Sequence, residues 1–159
     1  MKSPPIPFMA ILEKLSKAKS NKRIETIITE AWERDSEEFF LGLQYSMDPL
    51  IDYKVHKCPR YEEDIDEPGE FNFDAFFILT NKITKAKNIS LEEVYDLIKD
   101  AASRANPKEW NNFYRRIILK ELQNDIKISS IIPVLSKLTN QSFTSSIQHK
   151  TKSNVLRDS

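Results

Sequence analysis

Apolar residues along this chain recur at intervals of three and four rather than two. Phe8, Ile11, Leu12 and Leu15 form one such set, and Ile24, Ile27, Ile28 and Ala31 a second. Each set has the spacing of a single helical face and predicts a helix. Residues 36 to 47 predict a third, ended by Asp48-Pro49, because proline disfavours α geometry in the residue before it. Leu50 to Pro59 reads as an exposed connection. From Tyr61 to Glu70 the acids Glu62, Glu63, Asp64, Asp66, Glu67 and Glu70 crowd beside Pro68-Gly69, which predicts a solvated, mobile loop.

Start signals mark the next helices. Asn72 is placed to cap a helix carrying Phe73, Phe76, Phe77 and Ile83, and Ser90-x-x-Glu93 is a capping box opening one with Leu91, Val94, Tyr95 and Ile98. Asn106-Pro107 supplies a cap and a first-turn proline for a helix bearing Trp110, Phe113, Tyr114, Ile117 and Ile118, predicted to run to about Gln123. A short helical segment around Ser130 to Leu138 follows. The glycines are Gly42 and Gly69 alone, and no Asn-Gly hairpin signal occurs. The fold class is therefore all-α, a compact bundle of about six to seven helices over residues 1–138. Residues 139–159, rich in Ser, Thr, Asn, Gln and Lys, are expected to be a disordered tail.

Composition adds limits rather than direction. The 159 residues suffice to bury a core without metal or disulfide staples. The 24 basic side chains are matched by 24 acidic ones, so net charge alone argues for no partner. Cys58 is the lone cysteine, which excludes an intrachain disulfide and fits a reducing compartment, so a cytoplasmic location is expected. The apolar run Phe8 to Leu12 is too short for a signal peptide, and nothing approaches the roughly 20 apolar residues of a membrane span.

Candidate chemistry is sparse. Two isolated glycines cannot build a phosphate-cradling loop. His56 and Cys58 are the only close pair of metal-type ligands, where structural zinc takes four, and they read as polar loop residues. Glu62-Glu63 and Glu92-Glu93 read as solvated carboxylates, and Trp110, Phe113 and Tyr114 as packing. The basic residues cluster despite the neutral total: Lys17, Lys19, Lys22 and Arg23; Lys54, His56, Lys57 and Arg60; Lys82, Lys85 and Lys87; Arg115, Arg116, Lys120 and Lys127. Such clusters suit phosphate contacts that do not read sequence. They equally suit ordinary solubilising charge.

Three stretches resemble the amino-terminal domain of ATP-dependent DNA ligases, especially those of T-even-like phages. Leu43 to Val55 is similar to the family's early helix, which ends in an aromatic residue and Asp-Pro before an apolar, basic stretch closing near a proline, here Pro59. Phe71 to Ala86 followed by Ser90 to Ala102 resembles its paired helices. Phe113 to Ser129 resembles its closing signature of helix, tight turn and apolar-polar-apolar stretch. Where many members have glycine in that turn, this chain has Asn124-Asp125, the non-glycine types that best tolerate a left-handed backbone. The resemblance covers Lys22 to Leu138.

The resemblance implies a domain that grips nicked double-stranded DNA during replication, repair and recombination. It implies DNA contacts at Lys127 first, where cellular members often carry arginine, and at Lys120, Arg116, Arg115, Lys54, Lys57, Lys82 and Lys85. The ligase nucleophile sits in Lys-x-Asp-Gly, and here neither glycine follows an aspartate. No catalysis is therefore expected from this chain alone. ATP and magnesium would belong to an adenylation domain, a natural partner if it is separately encoded. The rival reading is a helical protein-interaction module without DNA binding, motivated by the balanced charge and the acidic loop.

Overall fold

In the computed structural model, residues 3–63 and 67–139 are described, and no strand occurs among them. Seven helices occur in that range: α1 (Phe8–Lys17), α2 (Asn21–Glu33), α3 (Glu37–Met47), α4 (Phe73–Lys85), α5 (Leu91–Arg104), α6 and α7 (Ile128–Thr139). Helix α6 is continuous but changes pitch, running from Pro107–Glu109 through a π-type turn at Trp110–Tyr114 into Arg115–Ile118. A 3-10 turn, Leu122–Asp125, precedes α7. The expected tail from residue 140 onward lies outside the described residues, as do Asp64, Ile65 and Asp66 of the acidic loop.

The chain forms two compact units. The first joins the residues up to Asp48 with those from Gln123 on, and the second spans Pro49–Leu122. In the first, α2 buries Ile24, Ile27, Ile28 and Ala31, and packs chiefly against α7, which buries Ile131, Val134 and Leu135. Ser20 caps α2 by accepting from the Arg23 amide. At its other end the amides of Asp35 and Ser36 bond back to the carbonyls of Trp32 and Ala31, with Asp35 left-handed at φ 55°. That arrangement usually takes glycine. Ser36 makes no side-chain cap on α3; its buried hydroxyl accepts from the Ile6 amide at 2.8 Å and fastens the amino-terminal segment.

The second unit is organised around rings. Phe71, Phe76, Trp110 and Tyr114 are buried, with Phe76 4.9 Å from Tyr114 and Phe71 5.1 Å from it, centroid to centroid. Asn72, Ser90 and Asn106 cap α4, α5 and α6, each accepting from the amide three residues on, as their spacing predicts, while the Glu93 carboxylate accepts from the Ser90 hydroxyl at 3.2 Å and not from its amide as a full capping box would. Within α6 the π-type turn places Asn111 inward beside Trp110, Phe113 and Tyr114. Asn111 closes a two-way bridge to Tyr61, accepting from its amide at 3.0 Å and donating to its carbonyl at 2.6 Å.

Four sequence expectations change. Leu50 to Pro59 is not simply exposed: Tyr53 and Val55 are buried, and the Trp110 indole donates to the Pro59 carbonyl at 2.8 Å. Helix α6 stops at Ile118 rather than near Gln123, because the amides of Lys120 and Glu121 turn back to Ile117 and Arg116. The left-handed residues of this stretch are Lys120 (φ 59°) and Lys127 (φ 55°), while Asn124-Asp125 lies in the 3-10 turn between them. Leu91, placed on the apolar face of α5, is 55% exposed at its first turn.

Candidate nucleic-acid interface

In the first unit the basic residues gather where α1 meets α2. Lys17, Lys19, Lys22 and Arg23 are all exposed there. The left-handed backbone of Lys127 turns its ammonium onto the Ala18 carbonyl in the same connection. The Ser130 hydroxyl donates to Asn21 Oδ1 at 2.9 Å, which sets the amino-terminal ends of α2 and α7 side by side. Neither helix carries an acid in its first turn. Helix amino termini bear partial positive charge, so dipoles and lysines here add up to one positive region. Lys17 shares its charge with Glu13, 2.9 Å away and well exposed.

The cations of the second unit fall into two kinds. Lys120, Arg115 and Arg116 are engaged within the unit. The Lys120 ammonium donates to the Ile51 carbonyl at 2.7 Å and lies 5.9 Å from the centre of the Tyr53 ring. Arg115 Nε donates to the Cys58 carbonyl at 3.4 Å, and Arg116 lies 3.5 Å from Glu121. Lys57, Lys82 and Lys85 stand exposed. Lys54, left-handed at φ 65° and steadied by Asp52 Oδ1 at 2.8 Å, reaches across to donate to the Ala86 carbonyl at 3.2 Å. That bond brings Lys54 to the end of α4 that carries Lys82 and Lys85.

Catalytic candidates fare differently. Burial pushes the Cys58 thiol up to about 12, with nearby Arg115 lowering it and Glu121 raising it. A thiol so placed stays protonated at neutral pH and is a poor nucleophile. Among the described residues no group of His, Cys, Asp and Glu gathers that could hold a metal ion. An open depression of about 510 Å³ is lined by Arg60, Tyr61, Glu62 and Glu63, and its two carboxylates disfavour an anion. No described helix is long and apolar enough to cross a membrane.

Known proteins bear on this arrangement through shape. No protein family and no curated protein matches the sequence. The solved structure Pmar-Lig_PreS3 superposes with a TM-score of 0.72 at 28% identity, over 86% of this chain and 31% of that one. A second, Pmar-Lig_Pre, gives 0.66 at 30% identity, over 81% of this chain and 30% of that one. The fold is ligase-related. This chain spans about a third of the length of those structures, so the ligase-related region corresponds to one part of a larger molecule.

Sequence grouping found the cations but not their partners. Lys127 is more than a hundred residues from Ala18, and only the packing of α7 on α2 brings them together. Lys54 and Ala86 meet in the same non-local way. Asp52-x-Lys54 is a local turn signal that the reading of Leu50 to Pro59 as an exposed connection passed over.

Proposed function

We propose that this chain is the DNA-gripping domain of an ATP-dependent DNA ligase, holding nicked double-stranded DNA through its phosphates without reading base sequence. The observation that carries this reading is the ligase-related fold over most of the chain. The positive region at the α1–α2 connection supports it, since lysines beside two helix amino termini suit phosphate oxygens. With no Asp-Gly pair for the Lys-x-Asp-Gly motif, the adenylation chemistry, with its ATP and magnesium, falls to a separate catalytic domain.

Fluorescence anisotropy of labelled nicked and intact duplexes across a salt series tests this. Binding to both is expected, falling steeply with salt and indifferent to sequence. Reversing Lys22 and Arg23 to glutamate together should weaken it about tenfold or more at low salt. Those two side chains are exposed, so the fold is unaffected. Lys127→Glu is a poorer probe, because it also removes the bond to Ala18. Absence of binding at low salt would overturn the proposal and favour a helical protein-interaction module.

A further inference from the structure

Helix α4 carries an outward stripe that its core packing does not use. Phe73, Phe76, Leu79, Thr80 and Ile83 face inward. Asp74, Ile78, Lys82 and Lys85 follow one another along the opposite side at helical spacing, all exposed. Ile78 keeps 66% of its surface open in the middle of the helix. It stands one turn, about 6 Å, before Lys82. Beyond Lys85 the Ala86 carbonyl holds the Lys54 ammonium at 3.2 Å, so a third cation is fixed at the same end. The order along the stripe is acid, apolar, cation, cation.

We infer that this stripe is a duplex-contacting surface of the second unit, with Lys82 and Lys85 on backbone phosphates and Ile78 against the apolar face of the neighbouring deoxyribose. The inference rests on the DNA-binding reading above and adds which surface and which kind of contact. Charge complementarity selects the occupant. Three lysines mark one end of the stripe, and a nucleic-acid strand offers phosphate oxygens alternating with apolar sugar at comparable intervals. Asp74, one turn before Ile78 and about 12 Å from Lys82, repels phosphate and marks the limit of the footprint. Lys54, tethered to α4, meets the strand already positioned, so less side-chain freedom is lost on binding.

The two kinds of contact respond differently to salt. Each lysine on a phosphate adds about 0.9 to the slope of log affinity against log salt, whereas an apolar contact adds affinity without changing the slope. The test compares the full chain with Lys82→Gln/Lys85→Gln and with Ile78→Ser, by anisotropy on the same nicked duplex between low and moderate salt. Circular dichroism melting checks that both variants fold. The lysine pair should flatten the slope by nearly two, and Ile78→Ser should weaken binding several-fold at every salt with the slope unchanged. If the parent chain binds DNA and Ile78→Ser matches it, or the lysine variant keeps the full slope, the stripe is not the contact and only this inference falls. If the parent chain does not bind, the DNA-binding reading falls and takes the stripe with it.

Discussion

The two units solve the same problem with different materials. The first packs aliphatic side chains along its main helix pair, Ile24, Ile27, Ile28 and Ala31 on α2 and Ile131, Val134 and Leu135 on α7, and holds a smaller ring group in which Trp32 and Phe39 each stand 5.2 Å from Phe40. The second packs rings around Phe71 and Tyr114 and carries irregular segments at residues 49–63 and 67–72. Helices satisfy their own backbone groups, but an irregular segment must find partners elsewhere. Here α6 provides several, through Trp110 to Pro59, Asn111 to Tyr61, Asn106 to Glu67 and Arg115 to Cys58. A ring-and-amide scaffold thus lets the second unit hold ordered loops, while the first needs only short connections.

Removing the central ring gives the largest expected effect on that contrast. Trp110→Ala empties a fully buried site and releases the Pro59 carbonyl, and should cost about 3–5 kcal/mol in urea unfolding. A loss below about 1 kcal/mol would mean that the rings do not organise the second unit.

The next effect is at Gly69. A Cβ there would sit 2.4 Å from the Asn106 amide nitrogen and 2.6 Å from the Arg104 carbonyl oxygen, both backbone atoms. Arg104 already accepts from the amides of Glu70 and Phe71 at that crossing. Gly69→Ala should cost about 1–3 kcal/mol, and hydrogen exchange at Glu70 and Phe71 should quicken. Unchanged stability would show the crossing to be looser than drawn.

Caps should not distinguish the units. Ser20 in the first and Ser90 in the second each accept from the amide three residues on, at 3.1 Å. Serine to alanine should cost about 1 kcal/mol at either place. A clear inequality would reveal that one helix is held by tertiary packing and is indifferent to its cap.

The smallest effect concerns Cys58. With a folded value of about 12 against an ordinary 9.0, the native thiol keeps its proton between those limits while the unfolded thiol loses it. The native state then binds more protons, so stability falls as pH rises above 9. The melting temperature of the parent should drop more than that of Cys58→Ala between pH 8 and pH 10. Iodoacetamide should label the native thiol far more slowly than the urea-unfolded one.

The same contrast explains what the sequence disclosed. Helices of the first unit were legible because their apolar spacing is local, and in the second unit Asn72, Ser90 and Asn106 announce their caps within a few residues. Tyr53 and Val55 were misread as exposed because a loop that packs onto rings has no periodicity to detect. Asn111 carries no local mark that sets it apart; its inward position depends on the π-type turn, which nothing local demands. Left-handed lysines at positions 120 and 127 were equally hidden, since lysine has no particular taste for that backbone, and each is held by a non-local ammonium bond. The basic clusters were visible as runs of sequence. Which of them reach outward and which fasten the molecule together was not.

One feature of the chain path bears on how the molecule assembles. The second unit is a single uninterrupted segment, whereas the first is made from both flanks of it, and its main helix pair joins α2 to α7 across that whole segment. During synthesis the second unit is complete while α7 is still unmade. Its bonds, though many span fifty residues or more, all close within that one stretch and need nothing made later. The first unit must wait for its last helix, and α7 carries Pro133, which removes one bond from its own ladder. The long loop that α7 has to close is already folded when it arrives, so closure costs less entropy than it would for a free coil.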